Sequence, residues 1–155
     1  MESLNIKVQP DSHVHGGMAE NLDWALSHLR SPESAPISSW VKQGPAYVIT
    51  LRGAPVPADS GLYGPASGDP PVEERDVVYA NRPPREYPSR IIPGKPLRST
   101  DRVTVVCGPS EEHPCVLYTI YGGPEACQEV NDPRVRDLEA ARRFWSEHAL
   151  TEDSR

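Results

Sequence analysis

No apolar run in the chain approaches the 18 or more consecutive residues that a membrane-spanning helix needs. The opening MESLNIKVQP lacks the charged start and apolar stretch of a secretory signal, so a cytoplasmic location is expected. Cysteine is scarce and odd in number: Cys107, Cys115 and Cys127. Without a secretory signal these are expected to be reduced thiols, not a disulfide framework. Cys107, His113, Cys115 and Cys127 could be imagined as zinc ligands, but their spacing follows no standard ligand pattern. Buried, inert thiols are the expectation, with no metal and no cofactor. Positive charge is also short. The net charge of −6 argues, for the chain taken whole, against a nucleic-acid binder. At 155 residues there is room for one domain and one modest core. A full TIM barrel, which needs roughly 250 residues, is excluded.

What the chain has in excess is proline. Eighteen prolines make up about 12% of it, against roughly 5% on average. With the 11 glycines they still fall short of the roughly 25–30% typical of low-complexity chains. Ten of the prolines lie within 55–96. Charge is uneven as well. Residues 75–110 carry a net charge of +4 between acidic flanks of −5 each. A basic middle in an acidic chain can bind anions, or simply pair with its flanks.

Proline removes a backbone donor and fixes φ, so helices and central strands must lie mostly between prolines. The two longest proline-free windows, 11–31 and 134–155, both read as helix. Met18, Leu22, Ala25, Leu26 and Leu29 form one apolar stripe, with Gly16 and Gly17 before it. Val135, Leu138, Ala141, Trp145 and Ala149 form another. Asp132-Pro133 offers a helix start. Tyr47–Leu51, Val103–Cys107 and Cys115–Tyr121 are rich in β-branched and aromatic residues and read as strands, with Val77–Tyr79 weaker. Ser38–Gln43 reads as a short helix bearing Trp40. On 115–121, strict alternation puts Cys115, Leu117, Thr119 and Tyr121 on one face and Val116, Tyr118 and Ile120 on the other. The expected fold is α+β: N- and C-terminal helices packed on a mainly antiparallel sheet, with a central hairpin (103–121) and long proline-rich loops. A single domain, 1–155, is expected, with 53–76 a surface loop and 81–96 an extended Pro/Arg segment.

Two constellations carry candidate chemistry. Asp11-Ser12-His13-Val14-His15-Gly16 resembles the D-x-H-x-H opening of the amidohydrolase metal site over six residues. The chain has neither the length for that family's barrel nor its later matching histidines. A solvated or capping segment is therefore expected. Without a metal, His13 or His15 remains a candidate general base. His28 and His148 are expected at the surface or boundary of their helices. The second constellation is Arg82, Arg85 and Arg90 on proline-stiffened backbone, with Tyr118, Thr119 and Tyr121 on the late strand. Arginine suits planar, bidentate phosphate contacts, and hydroxyls can donate to phosphate oxygens.

This layout resembles the small ribonuclease toxins of the barnase–EndoU–colicin–RelE group, over residues 75–123 plus the histidines. The resemblance implies a histidine near the start, an arginine on a strand and a Ser/Thr/Tyr on a late strand around the scissile phosphate. His13, His15, Arg82, Arg90 and Thr119 would then be catalytic. Arg85, Tyr118 and Tyr121 would bind phosphate. The implied activity is metal-independent RNA cleavage, with RNA as substrate and a cognate inhibitor protein as partner. The competing expectation is a non-enzymatic interaction or regulatory protein, an acidic inhibitor or partner-binding module. Its support is the acidic balance and a proline-stiff segment suited to a protein partner.

Overall fold

The computed structural model describes residues 3–15, 18–32, 36–83 and 85–152. In chain order the elements are β1 (His13–Val14), α1 (Ala19–Arg30), β2 (Ile37–Gln43), β3 (Ala46–Leu51), β4 (Ala58–Ser60), β5 (Leu62–Tyr63), β6 (Val78–Asn81), β7 (Pro88–Ile92), β8 (Arg98–Thr100), β9 (Val103–Gly108), β10 (Val116–Gly122), α2 (Leu138–Trp145) and β11 (Ala149–Thr151). The chain divides into two compact units, residues 1–60 with 99–125 and residues 61–98 with 126–155.

The first unit is built on a seven-stranded sheet in the order β2-β3-β9-β10-β4-β8, with β1 also paired to β10. The hairpin expected over 103–121 is present: β9 and β10 pair antiparallel and lie inside the sheet. β1 runs parallel to β10, with His13 opposite Thr119 and Val14 opposite Ile120. A register shift between Leu117 and Thr119 breaks the alternation on β10. Leu117 and Ile120 are therefore both fully buried, where strict alternation assigns them to opposite faces. The core joins Ile49, Leu51, Val103, Val105, Leu117 and Ile120 of the sheet to Met18, Ala25, Leu26 and Leu29 at α1. Asn21 of α1 is also fully buried. Its amide donates to the Val56 carbonyl at 2.9 Å and accepts from the Val56 N–H at 3.2 Å, which satisfies a proline-flanked segment that has no strand partner there.

The second unit holds a four-stranded sheet, β5-β11-β7-β6. β11 is antiparallel to β5 and parallel to β7, while β6 and β7 pair antiparallel. α2 is opened by Asp137, whose carboxylate accepts from the Ala140 N–H at 3.0 Å. It buries Ala141 and Trp145 with Leu62. The Trp145 indole donates to the Gln128 carbonyl at 2.9 Å.

The expectation of terminal helices packed on an antiparallel sheet is overturned. The molecule is mostly β, with eleven strands and two short helices among the described residues. Ser38–Gln43 is strand, because ladder bonds to β3 override a sequence without clear alternation. The C-terminal window is helical only over Leu138–Trp145; Ala149–Thr151 then enters the second sheet as β11. The stretch 53–76 contains β4 and β5 and buries Ala58, Ser60, Leu62, Asp69 and Val72, so it is not a surface loop. Segment 81–96 is extended, but β7 within it is buried from Ser89 to Ile92. Gly16, Gly17, Pro84 and the last three residues of the C-terminal window lie outside the described residues. No helix among the described residues is long and apolar enough to cross a membrane.

Candidate functional site

In the first unit, the face of the sheet opposite the core carries two rows of side chains. The ladder registers align Ser39, Thr50, Thr104 and Tyr121 in one row, and Val41, Val48, Val106, Thr119 and His13 in the next. His15 extends the first row. Its N–H donates to the Ile120 carbonyl at 3.2 Å and its ring meets the edge of Tyr121, centroids 6.1 Å apart.

The imidazoles of His13 and His15 stack at 4.1 Å between centroids and 15° between planes. Extended backbone explains this, because residues two apart in a strand share a face. His13 is exposed and His15 half-buried. Thr119, opposite His13, has a hydroxyl shielded from solvent with no hydrogen-bond partner among the described residues. The cluster therefore combines two imidazoles with an unengaged hydroxyl and a phenol. Chemically it can accept a proton, return one and donate to an anionic oxygen.

The polar row is wired. Thr104 Oγ1 donates to the Gly123 carbonyl at 2.8 Å. A threonine hydroxyl has one hydrogen, so at the 2.8 Å contact between Thr50 Oγ1 and Thr104 Oγ1 the donor is Thr50. Ser39 donates to the Glu125 carboxylate at 2.7 Å. The turn at 122–125 is thus tied to the sheet face by β2 through Ser39 and by β9 through Thr104, with Thr50 of β3 bonded to Thr104. Ser39, Thr50, Thr104 and Glu125 did not stand out in the sequence. The available sign was a threonine inside each of the β-branched runs YVITL and VTVVC. Tyr118 stands apart, its hydroxyl donating to the Pro109 carbonyl within the hairpin.

The three arginines belong to the second unit and are held there in separate ways. Arg82 donates to the Glu152 carbonyl at 3.3 Å. Arg85 approaches Glu129 at 3.4 Å. Arg90 is buried, donating from Nε to the His148 carbonyl at 2.9 Å and from Nη1 to Glu74. His13, His15, Thr119 and Tyr121 are thus brought together on one face, and each arginine has partners of its own.

Two other expectations on titratable groups receive a structural answer. His148 is buried, not at a surface or boundary. The Ala66 N–H donates to its Nε2 at 3.1 Å, so Nδ1 carries the proton and donates to the Phe144 carbonyl at 2.6 Å. Cys107 and Cys115 are free and buried. Burial, with the neighbouring Cys115 adding to it, pushes the Cys107 thiol far up; burial also raises Cys115. Both are poor nucleophiles and poor metal ligands in this state. Among the described residues no group of three or more His, Cys, Asp or Glu side chains is placed to hold a metal ion.

The chain matches no protein-family model, no curated protein and no solved structure.

Proposed function

We propose that this protein is a metal-independent endoribonuclease of the cytoplasm, a toxin-type domain whose reactive cluster is His13, His15, Thr119 and Tyr121. The observation that carries the reading is the stacked imidazole pair beside the unengaged Thr119 hydroxyl on one sheet face. One imidazole takes the proton of an RNA 2′-hydroxyl as its oxygen attacks phosphorus. The other gives a proton to the departing 5′-oxygen. The products are a 2′,3′-cyclic phosphate and a 5′-hydroxyl. Tyr121, which is partly exposed, donates to a non-bridging oxygen as charge builds. Arg82, Arg85 and Arg90 are left out of the cluster, since each is engaged within the second unit.

The test is incubation of RNA with the full chain in the presence of a chelator. Cyclic-phosphate ends are expected, with His13→Ala and His15→Ala each slowing cleavage by about 10²-fold or more. Intact single-stranded and structured RNA after prolonged incubation overturns the proposal.

A second reading, a non-enzymatic protein-binding module, is favoured by β6. This is an edge strand of the second sheet that exposes Val78 and Tyr79. Such an edge can accept a partner's strand. It predicts a protein complex that survives His13→Ala and is lost when Val78 or Tyr79 becomes lysine.

A further inference from the structure

Tyr118 lies outside the imidazole cluster, yet three features present its ring on the same sheet face. Cys107 is fully buried in the core, so its neighbour Gly108 faces the opposite side, the side of His13 and Thr119. A Cβ at Gly108 would lie 2.9 Å from the Tyr118 hydroxyl oxygen and 3.1 Å from ring carbon Cε2. The phenol therefore rests against the bare backbone of Gly108, which only glycine leaves open to it. The register shift supplies the second feature. Leu117 and Ile120 both face the core, so the two residues between them, Tyr118 and Thr119, turn to the outer face together. The third is a tether: the Tyr118 hydroxyl donates to the Pro109 carbonyl and fixes the far end of the ring. The residue is nevertheless 37% exposed.

A glycine makes room for this ring, a bulge turns it and a hydrogen bond holds it, all at the surface and beside the imidazoles. We propose that Tyr118 is a stacking platform for an unpaired nucleobase, so that the substrate is single-stranded RNA. The inference rests on the ribonuclease reading of this face and names its substrate class. Gly108 is one strand and one side-chain row from Thr119, a separation of about 8 Å from the ordinary strand spacing and rise. A base close to the scissile phosphate reaches that far. Bases of a duplex are paired and stacked on each other, so only an unpaired base can offer its face to the ring. Stacking accepts any base, since each has a π-face. The tethered ring loses little freedom when a base arrives. Lys7 adds a cation. Its main chain pairs with Val116, which is itself opposite Gly108, and Ile6 beside it is buried in the core. Lys7 thus projects from the outer face and is exposed there, suited to a backbone phosphate.

The experiment is fluorescence titration of 2′-fluoro oligoribonucleotides carrying 2-aminopurine with the full chain. These probes lack the attacking hydroxyl and report binding alone. The single strand is expected to bind with quenching of the 2-aminopurine, and the same sequence as a duplex to bind about tenfold more weakly. Tyr118→Leu fills the space over Gly108 without a π-face. It is expected to weaken single-strand binding by about tenfold and to abolish the quenching. Tyr118→Phe keeps the ring and is expected to restore both. The duplex comparison needs no variant and so does not depend on how a substitution folds. Absence of single-strand binding overturns the proposal. So does duplex binding that is equal or tighter, or quenching that survives Tyr118→Leu. Cleavage of unmodified RNA separates the two readings. Cleavage that Tyr118→Leu leaves unchanged in both KM and kcat overturns the platform and keeps the ribonuclease. Quenching that depends on Tyr118, with unmodified RNA left intact, keeps the platform and overturns the ribonuclease.

Discussion

Arg90 donates from Nε to the main-chain carbonyl of His148 over 2.9 Å. His148 immediately precedes β11, which pairs parallel to β7, the strand that carries Arg90. The arginine thus supports the chain at the point where it leaves α2 and enters the second sheet. The conservative change Arg90→Lys keeps the charge but loses the Nε donor and the planar fork. Its cost is expected at about 2–4 kcal/mol in urea unfolding, because a buried carbonyl and a buried charge lose partners. Glu74→Gln, at the exposed end of the same contact, is expected to cost under about 1 kcal/mol. Equal costs for the two would contradict the structural role of Nε.

The threonine pair predicts an asymmetry. Thr104→Val strands both the buried Thr50 hydroxyl and the Gly123 carbonyl, at about 2–3 kcal/mol. Thr50→Val leaves Thr104 donating to Gly123 and costs about 1 kcal/mol. Chemical denaturation of the two variants checks the order. The reverse order would mean that the donor chain runs the other way.

Gly64 has φ +134°, and a Cβ there would lie 2.6 Å from the Glu147 carbonyl and 2.6 Å from His148 Cδ2. Both obstacles are fixed, one as backbone and the other as a buried ring with two hydrogen bonds. Gly64→Ala is expected to destabilise by about 3 kcal/mol or more, with a clear fall in Tm. Gly68→Ala, also at positive φ but in open space, serves as a control and is expected to cost less.

Cys107 sets a pH dependence. Burial raises its thiol above the ordinary value, so the folded state keeps a proton that the unfolded chain releases. The associated stability is complete below the unfolded thiol pKa of about 8.5 and is lost as pH rises beyond it. Unfolding free energy is expected to fall from pH 8 upward (to about pH 10), and less so in Cys107→Ala. Rapid alkylation of native Cys107 at neutral pH would contradict the shielding.

The β9–β10 hairpin was legible because VTVVC and CVLYTIY combine β-branched content with turn residues between them. The bulge at Tyr118 was not, since it changes side-chain facing without a Gly or Pro to mark it. β11 was hidden inside a helical stripe: Ala149 continues the spacing of Ala141 and Trp145, yet it lies in a sheet. Three residues are too few to show a period, and pairing on both sides with β5 and β7 supplies what local propensity does not. The His13–His15 pairing on one face was legible from strand periodicity. The arrival of Thr119 and Tyr121 beside them required the β1–β10 register, a contact between distant parts of the chain.

The amino-acid sequence by itself determined where helices are forbidden, which runs prefer to be strands and which two histidines share a face. These follow from proline's fixed φ, from β-branched side chains and from a two-residue period, all local properties. Only the tertiary structure decided that the molecule is mostly β, that Arg90 is a buried support and that an imidazole pair meets a threonine. Those outcomes rest on hydrogen bonds and burial between segments far apart in sequence. The energy of such contacts depends on what each segment finds opposite it, not on the segment alone.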